Sequence, residues 1–251
     1  MNGCRRVWCG MALSLVGILV CGPATVLRAG APAGRQGAAQ VPPPLSMEEE
    51  QAFLRLWAAE PRLDVGVPAG TAKVVVVKFS DWQCPGCKWT HQVYEPILDQ
   101  IEKSKPGSIK SVIKDFPLNV KCNANWSAQS VQHPGTCEAA VAARAAADHG
   151  KSAEMAQWLW DHQESSGDQV KLAAKVIGGV LDFDQQFALK IGDVRRDVTD
   201  GGVLRVDSTP TYFVNGVRVR GFFGGAWDSQ HLLDPRLFED AIRFEMNRIK
   251  H

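Results

Sequence analysis

The sequence has almost no net charge and no internal repeat. Its 28 Lys and Arg residues are nearly matched by 27 Asp and Glu, which leaves a formal charge of +1. This balance gives no reason to expect binding to nucleic acid or to an anionic membrane surface, both of which attract basic proteins. The absence of a repeat excludes a solenoid or propeller array. The informative features are therefore local, and they lie in the N-terminal segment and around the cysteines.

Residues 1–31 have the pattern of an export segment. Arg5 and Arg6 supply a positive start, an apolar stretch follows, and Ala29-Gly30-Ala31 resembles a small-residue cleavage site. The alternative is an uncleaved membrane anchor, because Val7 to Leu27 is a run of 21 residues without a charge, about enough to span a bilayer core. The segment predicts a periplasmic or otherwise extracytoplasmic protein and leaves membrane anchoring open.

Cysteine is scarce once this leader is set aside. Three of the seven cysteines lie within residues 1–31, and four remain: Cys84, Cys87, Cys122 and Cys137. An even number in an exported protein fits two disulfides in an oxidising compartment. The two pairs differ in spacing and context, and they lead to different predictions.

Cys84 and Cys87 lie between a predicted strand and a predicted helix. The start of a helix presents unpaired N–H groups and the positive end of the helix dipole, which favour a thiolate over a thiol. Pro85 suits the first helical position, where its missing N–H leaves no hydrogen bond unmade. A bridge this short gains little from loop closure, so stability explains it poorly. The pattern predicts a redox-active pair rather than a structural bridge or a zinc site, although zinc ribbons share the spacing.

The chain is predicted to contain one main domain. Residues 32–62 combine a tether rich in Ala, Gly and Pro with a short helix capped by Ser46. Residues 63–251 follow the order strand, helix, strand, helical block, β-hairpin and terminal helix. A strand–helix–strand unit implies a right-handed crossover and a parallel pair of strands. The predicted class is α/β, with a helical insertion at about residues 124–204.

Three stretches resemble the thioredoxin superfamily, and more closely its DsbA-like disulfide oxidoreductases: Val77 to Cys87, Asp115 to Leu118 and Ser208 to Gly216. The resemblance covers roughly Thr71 to the C-terminus. It implies a thioredoxin-like fold with a helical insertion between the βαβ unit and the C-terminal hairpin and helix. The segment from Cys122 to Ala140 is also similar to thioredoxin domains found beside vitamin K epoxide reductase homologues.

Roles for single residues follow from matching positions to this family. Cys84 is implied to be the exposed attacking thiolate, and Cys87 the sulfur that resolves or re-forms the bond. Pro210 falls on the family's cis-proline. Thr209, just before it, would offer backbone groups to an extended substrate segment.

The loop around the cysteines is expected to contact substrate through Trp82, Pro85 and Gly86. Trp82 is expected to be exposed, because it lies in the loop just before Cys84. Gly86 stands where strongly oxidising relatives often carry histidine. The resemblance therefore does not imply an extreme redox potential.

Lys78 departs from the family, which usually has a buried acid six residues before the first active-site cysteine. A cationic amine beneath the Cys84–Cys87 pair would stabilise the Cys84 thiolate and make the disulfide more oxidising. A neutral amine would instead shuttle the proton of Cys87. A third interpretation has Lys78 reach outward from the strand without a role.

Cys122 and Cys137 are predicted to form a structural disulfide. Closing that loop is worth on the order of 3 kcal/mol in the chain-entropy treatment. A zinc site that includes His133 is the alternative, but it lacks a fourth ligand, and thiols seldom stay reduced in an exported protein. No metal is expected, and no cofactor other than the Cys84–Cys87 disulfide.

The leading functional hypothesis is an exported thiol oxidase that donates the Cys84–Cys87 disulfide to folding proteins. Its partners would be reduced or misoxidised exported proteins, and the resemblance implies a quinone-linked membrane reoxidant of the DsbB or vitamin K epoxide reductase type. The same site used as a reductase or isomerase is the alternative. A thioredoxin-fold metal-binding or chaperone module is the third hypothesis.

Overall fold

The computed structural model describes residues 46–219 and 234–248. No helix in these two ranges has the length and apolar character needed to cross a membrane. The predicted export segment or anchor at residues 1–31 lies outside the described residues, as does the tether that follows it. The described elements are α1 (Met47–Ala59), β1 (Val74–Ser80), α2 (Pro85–Ser104), β2 (Ile109–Asp115), α3 (Thr136–Asp148), α4 (Ser152–Asp161), α5 (Gly167–Val176), α6 (Phe183–Val203), β3 (Thr211–Val214), β4 (Val217–Arg218) and α7 (Pro235–Asn247).

The short helix predicted near Ser46 is α1. The Ser46 hydroxyl accepts a bond from the N–H of Glu49 (3.2 Å), and the Glu49 carboxylate accepts one from the N–H of Ser46 (2.8 Å). This reciprocal pair satisfies two N–H groups that a helix start leaves free. Phe53 and Trp57 are buried in a core cluster shared with α2, α7 and the sheet.

β1 is an inner strand of the sheet, and all seven of its residues are buried. β-Branched residues suit a strand that is covered on both faces. β1 pairs in parallel with β2, where Val77 lies opposite Val112, and antiparallel with β3, where Val77 lies opposite Phe213. β3 and β4 form the predicted hairpin around Asn215 and Gly216, whose φ angles of 46° and 81° suit a tight hairpin turn. The strand order is β2-β1-β3-β4.

The two faces of β1 enter different cores, because successive residues of a strand point to opposite sides of the sheet. Val74 and Val76 pack with α1, α2 and α7. Val75 and Val77 pack in a second cluster on the other face. By the same alternation Lys78 belongs to the face that α2 covers, so its side chain is directed beneath the helix that begins at the cysteines.

Helices α3 to α6 form the predicted insertion, and they pack around the alanine-rich α3. Small side chains allow a close approach: a Cβ at Gly178 would lie 3.2 Å from the Cβ of Ala146 and 2.7 Å from the carbonyl oxygen of Ala174. The core of the insertion also contains Cys84 and Cys87. The predicted α/β fold with a helical insertion is therefore confirmed, and the insertion forms one wall around the cysteines.

Residues 116–135, between β2 and α3, contain neither helix nor strand. The first helix of the insertion begins at Thr136, later than the predicted start near residue 124. Side-chain amides hold this segment, since Asn119 donates to the carbonyl of His133 and Asn123 to the carbonyl of Pro117, both at 2.8 Å. These bonds satisfy carbonyl groups that no regular element pairs.

Candidate active site

Cys84 and Cys87 lie at the junction of β1 and α2. Cys84 immediately precedes the helix, Pro85 occupies its first position, and Cys87 lies one turn further in. The N–H groups of Cys87 and Lys88 donate to the carbonyl oxygen of Cys84 (3.1 and 3.2 Å), which closes the first turn. Both cysteines are thiols in this structure.

Both sulfurs are largely covered. Cys87 is fully buried and Cys84 is only 7% exposed, so the expectation of an exposed Cys84 is wrong. The cover comes from segments far away in sequence. The Cys84 thiol donates to the carbonyl oxygen of Thr209 (3.2 Å), and the Gln163 amide donates to the carbonyl oxygen of Cys84 (2.9 Å). Only an edge of Cys84 is open to an attacking group.

The two thiols differ in acidity. A hydrogen bond from the Cys87 thiol, with a further contribution from Thr209, lowers the pKa of Cys84 to about 6 against the opposing effect of burial. Burial raises the pKa of Cys87 well above its ordinary value, and the hydrogen bond to Cys84 acts in the same direction. Since the thiolate is the nucleophile in disulfide exchange, this asymmetry favours attack through Cys84 and keeps the proton on Cys87.

The start of β3 lies against the cysteines. The Thr209–Pro210 peptide bond is cis, as the resemblance implied. The Thr211 hydroxyl donates to the carbonyl oxygen of Ser208 (2.8 Å), which fixes the approach to the strand. The fold thus brings Thr209 and Pro210 beside Cys84, although Thr209 and Cys84 are 125 positions apart.

Lys78 lies beneath the cysteines and is 1% exposed, so the interpretation in which it reaches outward is wrong. Its Nζ donates to the carbonyl oxygen of Cys87 (3.2 Å) and lies 5.3 and 5.5 Å from the ring centres of Trp160 and Tyr212. Aromatic faces attract a cation at such distances. Burial lowers the pKa of Lys78, while the charges of Cys87 and Glu95 act to raise it.

One face of α2 carries two further titratable groups near Lys78. The His91 ring stacks on Trp160 with ring centres 5.2 Å apart. Burial raises the pKa of Glu95, and the charge of Lys78 opposes that shift. Residues four apart on a helix share a face, so the spacing from Cys87 to His91 to Glu95 is the sequence signal that would have found Glu95.

Trp82 is not at the surface, contrary to expectation. It is 8% exposed, its ring centre lies 4.6 Å from that of Trp160, and its Nε1 donates to Asp115 (3.3 Å). The reason is that α4 of the insertion places Trp160 over the loop before the cysteines. Trp82 therefore supports this loop from within. Of the other residues expected to meet substrate, Pro85 is exposed and Gly86 is buried.

Two glutamines that the sequence did not single out brace this loop. The Gln83 side chain accepts from the N–H of Gly135 (2.8 Å) and donates to the carbonyl of Ser165 (2.6 Å). Gln163 donates to the carbonyl oxygens of Trp82 and Cys84. The partners are more than 50 positions apart in each case, so no local pattern signals these bonds.

Cys122 and Cys137 form a disulfide, and both are buried. The bridge ties residues 116–135 to the first turn of α3. His133, which lies between the two cysteines, has its Nδ1 3.0 Å from the Asp81 carboxylate. In the part of the chain that the structure describes, no three His, Cys, Asp or Glu side chains are grouped as a metal site would require. The bonded sulfurs do not fit the zinc alternative.

The protein-family model described as Thioredoxin matches residues 65–224, which include both cysteine pairs, the insertion and the hairpin. The chain belongs to the thioredoxin family. The resemblance to the thioredoxin superfamily is confirmed. Within this family's fold, the paired thiols of Cys84 and Cys87 have the chemistry needed for exchange with a disulfide.

Solved structures and curated proteins show how far this thioredoxin-family likeness extends. A linker-deletion variant of Proteus mirabilis ScsC is 18% identical, with 80% of this chain and 83% of that chain covered and a TM-score of 0.50, which shows a shared fold. Oxidised BdbD from Bacillus subtilis is 19% identical, with 70% and 89% covered and a TM-score of 0.47. The Na(+)/H(+) antiporter NhaA 1 of Mycolicibacterium vanbaalenii is 29% identical over 195 residues, 75% of this chain. The chain spans only 28% of that antiporter's length.

Proposed function

We propose that this protein is an exported thiol oxidase that donates the Cys84–Cys87 disulfide to reduced proteins. The observation that carries the proposal is the opposite displacement of the two thiol pKa values, to about 6 for Cys84 and well above the ordinary value for Cys87. A stabilised thiolate favours the reduced form, so the corresponding disulfide is a better oxidant. This favours the oxidase over the reductase or isomerase.

The reaction begins when a substrate thiolate attacks Sγ of Cys84 in the oxidised protein. The bond between the two active-site sulfurs breaks, its electron pair passes to Cys87, and a mixed disulfide joins Cys84 to the substrate. A second substrate thiolate then attacks the substrate sulfur of that bond. Cys84 departs as a thiolate, which its low pKa favours, and the substrate leaves with its own disulfide. The sulfurs carry both electrons, so the exchange needs no other cofactor.

Lys78 is proposed to donate a proton to the Cys87 sulfur when the disulfide breaks and Cys87 leaves as a thiolate. Its amine bonds to the Cys87 carbonyl, and burial lowers its pKa, so an ammonium at this place gives up a proton readily. Its charge acts to lower the pKa of Cys87, and the pKa of Lys78 responds more to the charge of Cys87 than to that of Cys84. These contacts favour the proton-transfer role over direct stabilisation of the Cys84 thiolate.

Thr209 and Pro210 are assigned to substrate binding. The Thr209 carbonyl oxygen accepts from the Cys84 thiol, and Pro210 follows it immediately before β3. An extended substrate segment that paired with the Thr209 backbone would place its own sulfur beside Cys84. Pro85, exposed at the first position of α2, would border that segment.

Export is supported by the leader pattern of residues 1–31 and by the Cys122–Cys137 bridge, since stable disulfides persist in oxidising compartments. A quinone-linked membrane protein of the DsbB or vitamin K epoxide reductase type is proposed to reoxidise the thiols. Sodium–proton exchange is no part of the proposal, because the chain spans only 28% of the antiporter that it resembles.

The deciding experiment is the redox equilibrium of Cys84–Cys87 against glutathione, followed by tryptophan fluorescence, with the other bridge checked by mass. A potential of about −120 mV, the strong-oxidant end of the known range, is expected. A potential of about −270 mV, the thioredoxin end, would overturn the oxidase proposal in favour of a reductase. The parent should also oxidise a reduced substrate protein faster than free glutathione disulfide does.

A further inference from the structure

A buried carboxylate lies against the active-site turn. Asp81 is 1% exposed. Its own N–H lies 3.4 Å from the Cys87 sulfur, and its two oxygens accept bonds from the N–H groups of Gln83 and Leu118, each at 2.6 Å. A negative charge is thereby fixed beside the cysteines, and it acts to raise the pKa of Cys84. An uncompensated Asp81 therefore opposes the thiolate on which the exchange depends.

His133 provides the compensation. Its Nδ1 lies 3.0 Å from Oδ2 of Asp81, close enough for an ion pair although the contact is not an aligned hydrogen bond. The contact with Asp81 raises the pKa of His133, and the charge of Cys84 acts in the same direction. The His133 side chain keeps 16% of its surface exposed, whereas that of Asp81 has none. The imidazole can therefore exchange a proton with solvent.

The backbone around His133 is held on both sides. Its N–H donates to the carbonyl of Leu118 (3.0 Å), and its carbonyl accepts from the Asn119 side chain (2.8 Å). The Cys122–Cys137 bridge closes the loop that contains it. Among the residues that the structure describes, the charged groups that raise the pKa of His133 are Asp81 and Cys84, while burial acts to lower it.

We propose that His133, held by the loop that the Cys122–Cys137 disulfide closes, is a positioning residue for disulfide exchange that acts as an imidazolium by neutralising Asp81. The inference rests on the proposed function in that it needs Cys84 as the nucleophile, but it holds for either direction of electron flow. The second disulfide thereby supports the reactivity of the first pair as well as the fold.

The test is a titration of Cys84 in the protein with Cys84 and Cys87 reduced and the second disulfide intact. The rate of alkylation by iodoacetamide is measured against pH, with the modified cysteine identified by mass. His133→Gln is expected to move the profile up by about one pH unit, a roughly tenfold loss of thiolate below the pKa. His149→Gln, which alters an exposed histidine at the end of α3, is the matched control and should leave the profile unchanged.

A double variant separates a charge effect from a disturbed loop. Adding Asp81→Asn to His133→Gln removes the charge that the imidazolium compensates, so the profile should return toward that of the parent. Replacing Cys122 and Cys137 by serine should shift the profile in the same direction as His133→Gln, because the loop is released. Thermal unfolding of each variant checks that it folds.

Three outcomes decide the matter. If the pKa of Cys84 is low in the parent and His133→Gln leaves it unchanged, this inference is overturned and the proposed function stands. A shift that Asp81→Asn does not reverse also overturns it, because the effect then does not pass through that carboxylate. If Cys84 of the parent titrates as an ordinary thiol, both the proposed function and this inference are overturned.

Discussion

Cys84–Cys87 and Cys122–Cys137 are two pairs of the same residue type in one domain, yet their surroundings give them different chemistry. The second pair spans 15 positions, is bonded and is buried in the packing between an irregular segment and α3. The first pair begins a helix, is reduced in this structure, and has thiol pKa values displaced in opposite directions. Loop length and electrostatic environment therefore distinguish the bonded pair from the pair for which we propose exchange.

The two pairs also meet through the loop that the second one closes. That loop carries His133 to Asp81, and the N–H of Asp81 contacts the Cys87 sulfur. The bonded pair and the pair for which we propose exchange therefore differ in bonding and acidity rather than in burial, and they are physically connected. Four measurements test how sharp the distinction is.

The largest expected effect comes from Cys84→Ser. A serine hydroxyl does not attack or accept a disulfide at neutral pH, so the oxidation of a reduced substrate protein should fall to the uncatalysed rate. The paired replacement of Cys122 and Cys137 by serine is the matched control and should keep exchange well above that background. If both proteins lose activity equally, the division between a reactive and a structural pair is wrong.

The same paired replacement at Cys122 and Cys137 is expected to lower the free energy of unfolding by about 3 kcal/mol, because the unfolded chain regains the entropy of an open loop. Urea unfolding of the parent and the variant, both with the active-site cysteines reduced, measures the difference. Cys87→Ser removes a cysteine from the other pair and should change the unfolding midpoint far less than the loss of the long bridge.

Lys78→Met removes the amine but keeps a side chain of similar length. We expect the step that releases Cys87 to slow by roughly a hundredfold, the lower range for proton transfer by a positioned group. Rapid-mixing tryptophan fluorescence on the oxidised protein measures this step. Lys114→Met, at a second buried lysine that pairs with Asp200, is the control and should leave the rate unchanged. An unchanged rate in Lys78→Met would mean that solvent, rather than Lys78, donates the proton to Cys87.

The last expected effect is a dependence of stability on pH that is confined to the Cys84–Cys87 pair. The pKa of Cys84 is about 6 in the folded protein, below the value of about 8.5 for a free thiol. Its stabilisation is therefore complete above about pH 8.5 and is lost as the pH falls toward about 6. Unfolding midpoints of the reduced protein should rise across this window relative to those of the oxidised protein, which has no such thiol. If the midpoints of the reduced and oxidised proteins depend on pH in the same way, the lowered pKa of Cys84 is contradicted.

Most of the fold was predictable from local patterns. The strand–helix–strand order, the helical block and the β-hairpin each depend on short-range periodicity or turn preference, and the structure contains all three. The domain boundaries and the leader stay predictions, since residues 1–45 lie outside the described part of the chain.

The candidate site was predictable only in part. Matching positions to the family placed Cys84, Cys87 and Pro210, which the fold brings together. The prediction that Trp82 is exposed was wrong because the ring of Trp160 in α4 covers it. Asp81 with His133 went unrecognised because their contact depends on a loop closed by a disulfide.

The amino-acid order alone established which chemical groups are available. Local patterns, which act over a few residues, place two thiols at the start of a helix, a proline before β3 and a lysine in β1. Their chemical state comes from long-range packing: the nearly closed cover of Cys84, the bond from Lys78 to Cys87, and the pairing of His133 with Asp81. Desolvation and charge pairing set pKa values, and both depend on contacts between segments far apart in the chain.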